Sequence, residues 1–446
     1  MTARQMGALM PFLHDVFSEA KRKADEAEVF SVWSEETPVR FEANRLKEVQ
    51  GREGSLVALR LIKGGRIGFA VVSGLSEPGA VVDMALETVP FGSEAKFEFP
   101  SSRECPAVPV FDQGVVDTAA GEMAGMCEAL IARVREHTPD VLCDATVSKA
   151  FARVHILNSR GGEVCYDKTV FTLGLDGVVV RGEDMLFVGD TETSCRPPGS
   201  ASRVADVTMW QLEMSRNGAR VSSGSMPVIL TPRAVAACLA MPLAMGFNGR
   251  TVLEGASPLR GRLGERLFDT KLNLMDEATT PFRPESRPCD DEGVPSQSTV
   301  LVEDGVVAGF LYDLQTAGLA GARSTGSGSR SRGGMPGPGV SCLVFNEGEA
   351  TFEQMVAEMG EGLVVEQLMG AEQGNLLGGD FSGNVLLGFK VEKGRVVGRV
   401  KDVMVSGNVY QALGSIVAMG RESRWVYGMV RSPHIWLKEL SVAAKA

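Results

Sequence analysis

The sequence predicts an α+β protein: an N-terminal α/β region with an antiparallel sheet and flanking helices, then a C-terminal β-rich barrel or sandwich domain. Three observations carry this. Leu9, Phe12, Leu13, Val16, Phe17, Ala20 and Ala24 recur at helical spacing with charged residues between them. The segments AEVFSVW, TPVRFEANRLKEVQ and SLVALRLIKGGRIGFAVVSG alternate in the manner of strands. From about 225 onward the chain is β-rich, and Asp304-Gly305 and Lys393-Gly394 each sit between apolar runs as hairpin turns.

The elements follow in order. Gly64-Gly65 makes a first hairpin, because glycine reaches positive φ without steric cost. PGAVVDMALETV continues as a helix, and the Pro- and Ser-containing FEFPSSRECPAVPVFD is a connector. A helix over about 117–136 carries Met123, Met126, Leu130, Ile131 and Val134 on one side. The turns NSRGG, DG and RGED then divide a β-meander, which is either a second domain or a continuation of the first sheet. The chain divides into 1–112, 113–224 and 225–446. Thr351 and Gln354 fit a capping box, with Gly360 or Gly362 ending that helix. AACLAMPLAM, 236–245, is a packed helix that Pro242 kinks by removing one intrahelical hydrogen bond.

At 446 residues, two or three domains are expected, and 44% hydrophobic residues suffice for their cores. A net charge of −11 argues against a nucleic-acid partner. No run approaches the ~20 apolar residues of a membrane span. The N-terminus lacks an apolar export segment, so the eight scattered cysteines read as buried thiols of a cytoplasmic protein.

Chemistry-bearing residues are sparse. The histidines, His14, His137, His155 and His434, have no ligand spacing. Asp290-Asp291-Glu292 is the best acidic cluster, weighed against a solvated loop turned by Gly293 and Pro295. Asp380 and Ser382 flank an aromatic in GGDFSGN, where a bulge or turn is the plainer reading, because no base lies beside the serine. The loop STGSGSRSRGGMPGPG lacks the lysine of a phosphate-binding loop. Its backbone, with Arg323, Arg330 and Arg332, could instead grip a carboxylate or peptide.

A set of segments in order carries a resemblance: VRFEANRLKEVQ, GGRIGFA, NSRGG, FNGRTVLEGASPLRGRLGE, DDEGVPSQSTVLVEDGVVAGFLYDLQTA, ARSTGSGSR, LMGAEQGNLLGGDFSG and VSGNVYQALGSIVAMG. The chain resembles the TldD/PmbA family of metallopeptidases, once described as modulators of DNA gyrase, and within it the PmbA (TldE) branch. In the TldD branch a similar helix carries His-Glu-x-x-x-His, taken to bind zinc with a C-terminal cysteine. In register, those positions hold Ala240, Met241 and Met245, and RESRWVYGMVRSPH lacks the cysteine. The resemblance implies a chain without its own zinc or catalytic residues. It would be paired with a zinc-bearing TldD-type subunit that processes unfolded or extended peptides. Arg323, Ser324 and Thr325 are the candidates for lining the substrate chamber, and Asp290 and Asp291 for bracing its loops. A homodimer stays open. So do two alternatives: an independent hydrolase using Asp290, Asp291 and Asp380, and a regulatory binding protein.

Overall fold

The computed structural model describes residues 3–445 and is α+β, as the sequence predicts. Its first body is a seven-stranded sheet running from Glu26–Glu42 to Asp184–Ser194. AEVFSVW and TPVRFE form one 17-residue strand, Glu26–Glu42, rather than two. That strand pairs with Arg52–Lys63 on one side and Leu142–Asn158 on the other, so 1–112 and 113–224 contribute to a single sheet. Gly64 and Gly65 turn the first hairpin at φ of 57° and 75°.

Helices Ala3–Lys23 and Pro78–Thr88 cover one part of this sheet, where Leu13, Val16, Val81 and Val82 meet Val29, Val57 and Leu59. Ala120–His137 and Ser202–Met214 cover another part, placing Met123, Leu130, Val134 and Val204 against Leu173 and Leu175.

The second body closes on itself. Gly224–Leu230 pairs with Gly362–Met369 in parallel, and that strand pairs with Asp380–Glu392. Asp380–Glu392 pairs with Val403–Asn408, which pairs with Val430–Ala444, which returns to Gly224–Leu230. Five strands thus form a closed barrel, the solution that leaves no free edge. The remaining strands of this eleven-stranded sheet extend from its wall.

Strand alternation divides the barrel residues between two cores. Val228, Leu230, Leu363, Val365 and Ile435 point inward and meet Ala234, Val235, Cys238 and Leu243 of the following helices. Ile229, Val364, Leu387, Phe389 and Trp436 point outward and share a core with Met123, Leu130 and Leu173 of the first body. The two bodies are therefore joined by apolar packing.

Asp304-Gly305 and Lys393-Gly394 both turn hairpins with positive φ at each position. The capping box of Thr351 and Gln354 is present, and Gly360 follows at φ 70°. Two expectations are corrected. Asp380 and Ser382 lie in the strand Asp380–Glu392, paired with Asn408 and Ser406, rather than in a bulge or turn. Cys165 is exposed and Cys105 half-buried, while the other six thiols are buried.

Candidate functional site

The segment after Gly224–Leu230 starts a helix well. Thr231 accepts from the Ala234 N–H, and Pro232 occupies the first turn, where it has no hydrogen bond to lose. The helix runs as Pro232–Cys238, is interrupted at Leu239, and resumes as Ala240–Gly246. The interruption comes one turn before Pro242, which cannot donate to the Cys238 carbonyl. Cys238 instead turns its thiol onto the Ala234 carbonyl at 3.0 Å. Met241 stands exposed, and Ala240 and Met245 are partly buried.

Alanine has no lone pair, and thioethers are poor donors for a borderline dication that favours imidazole, carboxylate and thiolate. This donor set does not fit zinc. Among the described residues, no three His, Cys, Asp or Glu side chains gather as a metal site.

The acidic cluster is not a solvated loop. Asp290 and Glu292 are fully buried. Asp290 Oδ1 accepts from the Glu292 and Val294 N–H groups at 3.0 and 2.9 Å, and Oδ2 accepts from Gly328 at 2.8 Å. Asp291 accepts from the Arg330 N–H at 2.7 Å and pairs with Arg287 at 3.2 Å. Glu292 accepts from Arg60 at 2.6 Å and from the Leu314 N–H at 2.7 Å. Gly328 permits this approach, since an added Cβ would lie 2.7 Å from Glu292 Oε2 and 2.9 Å from Asp290 Oδ2.

Burial pushes both the Asp290 and the Glu292 carboxyl upward, because the charged form loses its water. Their hydrogen bonds join the 286–297 segment to the 324–339 loop. That loop is itself closed by a short ladder between Gly328–Ser329 and Gly337–Pro338. Asp380 accepts from Asn408 at 2.9 Å. Asp290, Asp291 and Asp380 are thus each engaged by neighbours.

Arg323, Ser324 and Thr325 border a cleft of about 920 Å³, whose far wall includes Arg103 and Arg160. Ser324 and Thr325 hydroxyls both reach the Tyr312 carbonyl, at 3.2 and 3.1 Å, which fixes their backbone. Arg160 pairs with Glu26 and Glu98. Arg103 and Arg323 are exposed and make no ion pair among the described residues. Val294 and Pro295 border the same cleft, so the acidic segment and Arg323–Thr325 meet there, although the Asp290 carboxylate is buried behind it. The side chain of Arg332 lies outside the described residues.

Sequence reasoning missed Glu28 and Arg60. They are cross-strand partners at 3.0 Å, and Arg330 reaches the same Glu28 while Glu292 reaches the same Arg60. The available signal was a single opposite charge inside each of two apolar strands, AEVF and ALRLI.

Two sequence profiles match this chain: the PmbA/TldA metallopeptidase C-terminal domain over residues 223–444, and domain 1 of the same metallopeptidases over 27–89. The chain belongs to the PmbA/TldD metallopeptidase family. A metalloprotease of Methanothermobacter thermautotrophicus is 23% identical over 430 residues, covering 93% of this chain and 92% of that one. TldE from Thermococcus kodakarensis superposes with a TM-score of 0.86 at 23% identity, covering 97% of this chain and all of its own. A Thermotoga maritima protein described as a modulator of a DNA gyrase superposes at 0.88 with 22% identity, covering 98% of this chain and 100% of that one. At such identities the superpositions speak to the PmbA/TldD fold. Among the described residues, no helix is long and apolar enough to cross a membrane.

Proposed function

We propose that this chain is a PmbA/TldE-type, non-catalytic subunit of a heteromeric cytoplasmic metallopeptidase acting on unfolded or extended peptides. The zinc and the general base belong to a TldD-type partner. What supports this reading is the helix Ala240–Gly246 within the matched C-terminal domain, which carries Ala240, Met241 and Met245 where the resemblance to the TldD branch would put the zinc donors. Without imidazole or carboxylate there, nothing on that helix activates a water.

On this reading the chain's own residues bind and orient. The Arg103 and Arg323 guanidiniums, without an ion pair among the described residues, offer forked donors to peptide carbonyls or carboxylates in the 920 Å³ cleft, and Ser324 and Thr325 shape its wall. Asp290 and Asp291 hold that wall in place through backbone N–H groups, so the cleft is set before peptide arrives.

The test is co-expression with a TldD-type chain from the same genome and turnover of a fluorogenic unfolded peptide. A stoichiometric complex should hydrolyse the peptide in a zinc-dependent manner, and this chain alone should not. Arg323→Ala should lower turnover about tenfold, the worth of a charge-assisted hydrogen bond, while the complex still assembles. Hydrolysis by the isolated chain in the presence of a chelator would overturn the proposal.

A further inference from the structure

A second cavity, of about 510 Å³, lies between the first sheet and the segments around 285–291 and 329–333. Its floor is two adjacent rows of one sheet face. In the first, Leu56, Val32 and Val154 face one another across three strands. In the second, Gly54, Ser34 and Ala152 occupy the same three strands, and Lys168 on the fourth ends the row. Three small residues side by side leave the space that larger chains would fill, so the cavity is written into the strands.

Lys168 makes no hydrogen bond or ion pair among the described residues. Burial works against its charged form and holds its pKa below the ordinary lysine value, with Glu285, Cys195, Arg287 and Asp291 as the groups whose charges act on it. Lys168 is half-buried and lines the cavity, and with no acceptor of its own among the described residues its ammonium can give a ligand carboxylate a charge-assisted hydrogen bond. The cavity roof does not supply one: Asp291 is held by Arg287, and Arg330 by Glu28. Glu285 is exposed at the mouth and makes no ion pair among the described residues. Among the described residues the cavity therefore presents a cation, Lys168, and an anion, Glu285, that make no ion pair, beside the apolar row of Leu56, Val32 and Val154.

We propose that this cavity binds a zwitterion with an apolar body, an apolar α-amino acid or a short apolar peptide with free ends. The ligand carboxylate lies on Lys168, its ammonium toward Glu285, and its side chain on the Leu56, Val32 and Val154 row. This site is separate from the Arg323 cleft and does not depend on the metallopeptidase reading.

Isothermal titration of the full chain with leucine, leucyl-leucine, N-acetyl-leucine and leucinamide tests it. Leucine or leucyl-leucine should bind, and whichever binds more tightly identifies the source. Capping either end should weaken binding at least about tenfold. Lys168→Met should reduce the zwitterion to the level of the amide, and Glu285→Gln to that of the N-acetyl form. Thermal melts of both variants would show that they fold. Ala152→Leu, which fills the small row, should abolish binding. Failure of both zwitterions to bind, or equal affinity in Lys168→Met, would overturn the proposal.

Discussion

At His434, burial and then the neighbouring Arg424 guanidinium hold the imidazole down to about 4, against 6.5 for the unperturbed group. The unfolded chain takes up this proton below pH 6.5, while the folded chain refuses it until about 4. Stability from this residue is therefore present above 6.5 and is lost as pH falls from there toward 4. The full difference is worth up to ~3 kcal/mol. His434→Phe, whose ring can pack at a tilt on Phe352 as the imidazole does, should melt with a flatter pH profile across that window. Melting curves of both proteins from pH 4 to 7.5 check this, and parallel profiles would refute it. Legibility at this scale divides by range. Asp290-Asp291-Glu292 stands out as a run in the sequence. That Glu292 is buried rests on its pairing with Arg60, whose alignment beside Glu28 depends on a strand register that no single strand reveals.

Local signals were sufficient for most elements, because hairpins and capped helices are decided within a few residues. Gly64-Gly65, Asp304-Gly305 and Lys393-Gly394 each demand positive φ, and Thr351 with Gln354 closes its own helix end. The connector after Pro78–Thr88 is different, since its position depends on a helix far along the chain. Lys96 N–H donates to the Gln315 side chain at 2.9 Å, and Gln315 donates back to the Glu94 carbonyl at 2.9 Å. Gly318, one turn along Leu314–Ala320, leaves room for that contact, because an added Cβ would overlap the Lys96 carbonyl. Helix propensity alone would make Gly318→Ala stabilising by roughly 1 kcal/mol. Steric overlap with fixed backbone outweighs this, at about 1–3 kcal/mol. Gly318→Ala should therefore lower the melting temperature and expose residues 92–112 to limited proteolysis, whereas a rise in melting temperature would show the connector to be loosely held.

The whole molecule is organised by one core shared between its two bodies, and this was the least legible level. Closing the barrel requires Gly224–Leu230 to pair in parallel with Gly362–Met369, segments too far apart for periodicity to connect. The same closure turns Ile229, Val364, Leu387, Phe389 and Trp436 outward into the core of the first sheet and its helices. At roughly 2 kcal/mol for each buried side chain, these five contribute on the order of 10 kcal/mol, as much as the net stability of a typical domain. Buried ion pairs of Arg60 with Glu292 and of Glu28 with Arg330 cross the same boundary, and losing one partner strands the other charge. The 223–445 segment, although it nearly coincides with the C-terminal family profile, should not fold stably alone. Expressed by itself it should bind a hydrophobic dye and aggregate, while the full chain unfolds in one calorimetric transition. A soluble 223–445 fragment with a sharp melt, or two separated transitions in the full chain, would show that the shared core contributes far less than its burial implies.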